Sequence, residues 1–300
     1  MEEQNRISFH DQISSNKLKS FFLIIVVLLV LLILGFVIGQ LMGPDYFTII
    51  MIFSIVISIF YIWIGYYFSD KMALASVNAK PADEREYRNF HNIVEGLCLA
   101  SGMPKPRLYV MNDNNINAFA TGRDPKHAVI CVTTGALEKL NKQELEGVLG
   151  HELSHIANFD IRFMTLTAVL VGMIAIVSQI FLRSLWFKGD NDNDNKGKAI
   201  FMLVGIILAI LAPIVVQLVQ LAISRKREYA ADASSVKFIR SPTGLINALK
   251  KIKSEHLPPD KKINKAVAPL FISDPFKKNL DNLLSTHPPL EKRIEILERM

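Results

Sequence analysis

Four long runs of this chain contain no charged side chain: 21–42 (FFLIIVVLLVLLILGFVIGQLM), 47–68 (FTIIMIFSIVISIFYIWIGYYF), 163–182 (FMTLTAVLVGMIAIVSQIFL) and 200–223 (IFMLVGIILAILAPIVVQLVQLAI). At about 1.5 Å of rise per residue, each reaches about 30 Å or more as a helix, the depth of a hydrocarbon core. Their apolarity runs all the way round, whereas a helix on a soluble core carries one apolar face. The first run is too long for a signal-peptide core, and a second follows at once, so the pair reads as a hairpin turning at Gly43-Pro44-Asp45. The expected organisation is a tail (1–20), a transmembrane hairpin (21–69), a second hairpin (163–223), and one aqueous domain built from 70–162 and 224–300.

Basic residues near span ends set orientation. Arg6, Lys17 and Lys19 precede the first span, the first turn has none, and Arg225, Lys226 and Arg227 follow the fourth. Tail and aqueous domain are therefore expected in the cytoplasm of a multi-pass cell-membrane protein. Residues 183–199, outside on this reading, run against the trend with Arg183, Lys188, Lys196 and Lys198. The net charge of +6 is accounted for by basic residues flanking membrane segments, and no nucleic-acid partner is implied. Cys98 and Cys131, the only cysteines, are expected as buried thiols on a side where disulfides are rare.

The aqueous blocks read as α+β and mostly helical, with a small sheet. Residues 82–101 have the period of an amphipathic helix ending near Gly102. Strands are expected at 107–111, 116–120 and 128–133, a short helix at 136–140, and further helices at 224–240, 243–254 and 289–300. Asn141, with Glu144 three residues on, opens helix 142–158 as a capping box.

That last helix contains VLGHELSHIANFD, residues 148–160. His151 and His155 are four apart, so both imidazoles face one point. Glu152 is rotated about 100° from His151 and reaches a water on a metal held there. Bound zinc lowers the pKa of that water to about 7, and a neighbouring carboxylate can take its proton and pass it to a leaving amine. Such a site needs a third protein ligand and one open position. Asp160, five residues past His155, points away on a continuing helix; with Asn158 it is expected to support the site, or to pair with Arg162. Glu228 is the better candidate. It lies just past the fourth span, and an antiparallel hairpin of spans three and four returns it to the face where the His151 helix ends. Asp232, one turn on, could accept the free N–H of a zinc histidine.

In order along the chain, NAFATG (117–122), VTTGALEKLNKQELEGVLGHELSHIANFD (132–160), REYAADASS (227–235) and STHPPLEKRIEIL (285–297) resemble the HtpX family of membrane zinc metalloproteases, relatives of the CAAX prenyl endopeptidases. The resemblance implies a gluzincin-type domain and one Zn2+ per chain on His151, His155 and Glu228, with Glu152 catalytic. It implies an endopeptidase acting on membrane or misfolded proteins, in quality control or stress. Two further matched segments have physical readings. Asn117, Ala118 and Phe119 could form an edge strand that holds a peptide extended. His287 is a candidate donor to the developing oxyanion, or orients the last helix. A metal transporter would carry ionisable groups inside its spans, which these lack. A structural zinc site would need a fourth His or Cys, and none stands at suitable spacing.

Overall fold

The computed structural model describes residues 9–167, 225–255, 270–272 and 288–300. Most of the expected third span, the fourth span, the loop between them and His287 lie outside the described residues.

Helices α1 (Phe9–Met42) and α2 (Pro44–Ser76) are joined by Gly43 alone, whose φ of 102° suits a residue without a Cβ. They pack along their length. A Cβ at Gly35 would lie 2.0 Å from Ser54 Oγ, so this glycine sets how closely the backbones approach. Both helices contain segments long and apolar enough to cross a membrane, Ser14–Ile33 and Pro44–Ser76. Ile49, Phe53, Ile57, Phe60 and Trp63 stand exposed on α2, an apolar surface far larger than a water-facing helix carries. Each helix overruns its uncharged run and enters the aqueous domain. Asp70 of α2 pairs with Arg107, and Ala73, Leu74 and Val77 pack on Met111, Phe119, Val129 and Cys131.

The sheet has four strands in the order β1 (Lys80–Pro81), β2 (Arg107–Met111), β4 (Ala128–Thr133), β3 (Ala118–Gly122). β2 and β4 run parallel and the outer pairs antiparallel, so the sheet is mixed and β3 is an edge. The strand expected at 116–120 begins two residues later. Asn115 and Asn117 give their carbonyls to Thr133 Oγ1 at 2.6 and 3.0 Å, which ties the approach to β3 into a turn. The helix expected from 82 also starts late, as α3 (Arg88–Ser101). The Asp83 carboxylate accepts from the Arg85 and Glu86 amides at 2.8 and 3.2 Å, and this side-chain turn competes with the first helical turn. Gly102 closes α3 in the left-handed conformation, φ 70°.

α4 (Thr134–Lys139) is capped by Thr133 and leads to α5 (Lys142–Ala157). The capping box is present. Asn141 Oδ1 accepts from the Glu144 amide at 3.0 Å, and Glu144 Oε2 accepts from the Asn141 amide at 2.8 Å. α5 is the core helix. Leu145, Val148, Leu149, Leu153 and Ile156 are all buried against α3, the sheet and the two helices that follow, α6 (Arg225–Ile239) and α7 (Thr243–Ser254). The chain bends at Asn158 and Phe159, where Phe159 takes φ 58°, and is helical again over 160–167. α8 (Leu290–Leu297) ends three residues before the expected terminus of that helix. Cys98 and Cys131 are buried free thiols, and burial pushes both up from the usual thiol range, leaving them unreactive.

Two small residues let α5 come close to its neighbours. Ser235 Oγ donates to the Gly147 carbonyl at 2.9 Å, and a Cβ on Gly147 would meet the Leu245 backbone nitrogen at 2.5 Å. Gly147→Val is therefore expected to force α7 off α5 and to cost about 1–3 kcal/mol of stability. A lowered thermal unfolding midpoint in detergent is the check, and an unchanged midpoint would refute the close approach.

Candidate metal centre

One turn of α5 separates His151 from His155, and their Nε2 atoms lie 3.2 Å apart with the rings nearly perpendicular. Glu228, on the facing turn of α6, brings Oε2 to 3.6 Å from His151 Nε2 and Oε1 to 3.6 Å from His155 Nε2. One ligating atom from each of the three residues falls within 4.8 Å of the others, and all three side chains are buried. Tetrahedral ligands at zinc–nitrogen distances of about 2.0–2.1 Å stand about 3.3 Å apart. The donor set is therefore spaced for a small divalent ion. Glu228 is buried in this cluster rather than exposed at the surface.

Behind the cluster, each imidazole gives its other nitrogen to a carboxylate. His151 Nδ1 donates to Asp232 Oδ1 at 2.8 Å, and His155 Nδ1 donates to Asp160 Oδ2 at 3.0 Å. This fixes ring orientation and leaves both Nε2 lone pairs aimed at the same point. Asp160 reaches back because the helix stops at Ala157 and the positive φ of Phe159 reverses the chain. A cation faces it from α6: Arg227 Nε lies 3.7 Å from Oδ1. Arg162, the expected partner, instead lies over the Tyr66 ring and bonds its hydroxyl. The Asn158 side chain donates from Nδ2 to Ser154 Oγ at 3.5 Å.

Asp232 is gripped by Arg293 of α8, whose Nε donates to Oδ2 at 2.8 Å and Nη2 to Oδ1 at 2.7 Å. The guanidinium is fully buried and also faces Glu228 Oε2 at 3.6 Å. Burial alone would raise the Asp232 carboxyl; Arg293 and His151 hold it below the usual carboxylate range. Burial and Arg293 oppose charge on His151, but its bonds to Asp232 and Glu228 outweigh them and raise it to about 9. A proton and a metal ion would compete for the same Nε2, as they do at any imidazole ligand. Sequence reasoning missed Arg293. The available signal was its place on the stripe Leu290, Ile294, Leu297, which makes it a cation on the buried face of a helix.

Glu152 is buried beside the cluster, and its Oε1 has no hydrogen-bond partner among the described residues. Burial pushes its carboxyl up, against the pull of His151 and His155. An orphaned carboxylate oxygen next to three convergent donors is what a water-binding metal site leaves in its protein part.

The candidate peptide platform, Asn117 to Phe119, leads into the edge strand β3. β3 is the sheet edge, but the chain itself occupies part of it. Ala118 accepts from the Ile272 amide at 3.0 Å, and Phe119 pairs antiparallel with Phe271, their rings 5.0 Å apart. Asn117 caps its own turn, Oδ1 accepting from the Ala118 amide at 3.1 Å.

Residues 84–300 match the sequence profile of Peptidase family M48. A protease HtpX homolog of Caldanaerobacter subterraneus is 49% identical over 255 residues, covering 83% of this chain and 84% of its own. HtpX homologs of Dictyoglomus thermophilum and Streptococcus pyogenes are 40% and 39% identical, covering 98% and 97% of this chain and 95% and 99% of theirs. The crystal structure of S. mikatae Ste24p superposes with a TM-score of 0.51 at 21% identity, over 94% of this chain and 65% of that one, a likeness of fold. By profile and by identity over most of its length, the chain belongs to peptidase family M48, among the HtpX proteases, and is a metalloendopeptidase.

Proposed function

We propose that this chain is a zinc-dependent integral-membrane endopeptidase that hydrolyses membrane or misfolded proteins in quality control. The observation that carries this reading is the convergence of His151, His155 and Glu228 within 4.8 Å, beside a buried Glu152 oxygen that no described residue engages. One Zn2+ per chain is held by those three residues. Asp232 and Asp160 orient the two imidazoles, and Arg293 holds Asp232. Bound there, zinc would polarise the scissile carbonyl and acidify a water to a pKa of about 7. Glu152 Oε1 takes the proton of the attacking water and gives it to the leaving amine nitrogen. His287 is proposed as a donor to the oxyanion.

The β3 edge at Asn117, Ala118 and Phe119 is the proposed seat of an extended peptide. Support comes from the Ala118 carbonyl, which already accepts an amide from the strand-like segment 270–272. A substrate would adjoin or replace that segment, gaining affinity from backbone hydrogen bonds.

In the membrane, segments 21–69 and 163–223 form two hairpins, and 70–162 with 224–300 form the cytoplasmic catalytic domain. The start of α1 and the end of α2 both touch that domain, through Asn16 with Asp160 and Asp70 with Arg107, which favours tail and catalytic domain on one face. A site at the lipid boundary suits substrates that are themselves in the membrane.

Glu152→Gln is expected to retain zinc and lose about 10²–10⁴-fold in hydrolysis of casein or of the chain itself. Glu228→Ala is expected to lose the metal. Activity near the wild-type level in the first variant, or stoichiometric zinc in the second, would contradict the assignment. Arg293→Leu leaves Asp232 buried without its cation and is expected to cost about 3–5 kcal/mol, read as a lowered unfolding midpoint.

A further inference from the structure

The mechanism above makes no use of α1, yet a side chain of α1 reaches the metal centre. Asn16 is a buried amide on a helix that is otherwise apolar from residue 21 onward. Its Nδ2 donates to Asp160 Oδ1 at 2.6 Å and to the Asn158 carbonyl at 3.0 Å. The other oxygen of Asp160 holds His155 Nδ1 at 3.0 Å. One carboxylate thus joins the first membrane helix to an imidazole of the ligand set.

The surroundings make this a built contact. Burying an amide with its donors unspent is costly, and here both Nδ2 bonds go to the bend at 158–160. The neighbouring turns of α1 clasp the same bend. Lys17 Nζ sits 4.6 Å over the Phe159 ring, while within α1 itself Ser20 Oγ donates back to the Asn16 carbonyl at 2.9 Å. One to two turns further on, Leu23 and Val27 form a buried seam with Phe163 and Leu166. Besides His155 and Asn16, Asp160 is faced by Arg227, whose Nε at 3.7 Å balances its charge from beyond hydrogen-bond reach. Orientation of the carboxylate is left to the shorter, directional bonds from Asn16 and His155.

We infer that Asn16 is a positioning residue of the metal centre: its amide fixes the Asp160 carboxylate, which fixes the His155 imidazole. The first membrane helix is then part of the catalytic apparatus as well as an anchor. The inference rests on the ligand set proposed above. Groups behind a ligating histidine typically contribute 10–100-fold to metal affinity, and a group one bond further out is expected to contribute on the order of tenfold.

The test uses the full chain in detergent, with zinc affinity from chelator competition and the visible spectrum of the cobalt-substituted protein as readouts independent of activity. Asn16→Ala removes the donor. Asn16→Asp keeps the shape and sets an acceptor against Asp160. Both are expected to raise the zinc Kd on the order of tenfold and to shift the cobalt bands. Leu23→Ala loosens the same helix seam without touching the polar contact. It is expected to lower the unfolding midpoint and leave zinc Kd and cobalt bands unchanged. In an Asp160→Asn background, Asn16→Ala is expected to add no further loss, because the effect runs through Asp160. Wild-type zinc affinity and cobalt bands in both Asn16 variants would overturn the inference. So would equal weakening by Leu23→Ala, or an additive loss in the double variant. A wild-type chain that binds no stoichiometric zinc would instead overturn the ligand set itself, and the inference with it.

Discussion

Charge balance around two imidazoles is the constraint on which the catalytic half of this protein depends. Glu152, Asp160, Glu228 and Asp232 are four buried carboxyl groups packed around His151 and His155. Two guanidinium groups, those of Arg293 and Arg227, face them. With all six ionised and both imidazoles neutral, as ligation of a metal requires, these groups leave two negative charges, which a single divalent cation would bring to zero. Uncompensated charge in such a place would cost several kcal/mol per ion. The site therefore makes energetic sense as the protein part of a metal centre, and the elevated Glu152 carboxyl is one sign of the strain that the protein groups carry by themselves.

Geometry sets where such a cation would sit. α5 and α6 approach closely because Gly150 presents no side chain to Ser235, whose Oγ bonds the Gly147 carbonyl, and this brings Glu228 opposite the histidines. The bend at Phe159 does the same for Asp160. Each imidazole is then held between a carboxylate on one nitrogen and the metal point on the other. Arg293 closes the back of the site and ties α8 to it, and its Nη1 lies 3.5 Å from the Ile272 carbonyl, next to the occupied part of the β3 edge. The membrane hairpin is joined to this core rather than merely tethered, through Asp70 and Asn16 at its two open ends.

Local and periodic features were legible in the sequence. Uncharged runs gave the α1 and α2 hairpin, the Asn141–Glu144 box gave the start of α5, and the spacing of His151 and His155 gave one ligating face. Glu228 was reached from the sequence by expecting a hairpin of spans three and four, most of which lies outside the described residues; what is observed is its place beside the two histidines. What sequence reasoning missed depends on contacts between distant residues or on competing short turns. Asn16 meets Asp160 across 144 residues, and nothing local distinguishes it from a polar residue at a helix end. Arg293 hides on an apolar stripe. Asp83 delays α3 by a side-chain turn, and Phe271 and Ile272 occupy a strand edge that the sequence leaves open.

The most direct measurement of the central claim is zinc-edge X-ray absorption on the purified, metal-loaded full chain. The account predicts a nitrogen and oxygen shell at about 2.0–2.1 Å with the multiple-scattering pattern of two imidazoles. A sulfur shell at about 2.3 Å, or a spectrum without imidazole scattering, would place the metal elsewhere and contradict it.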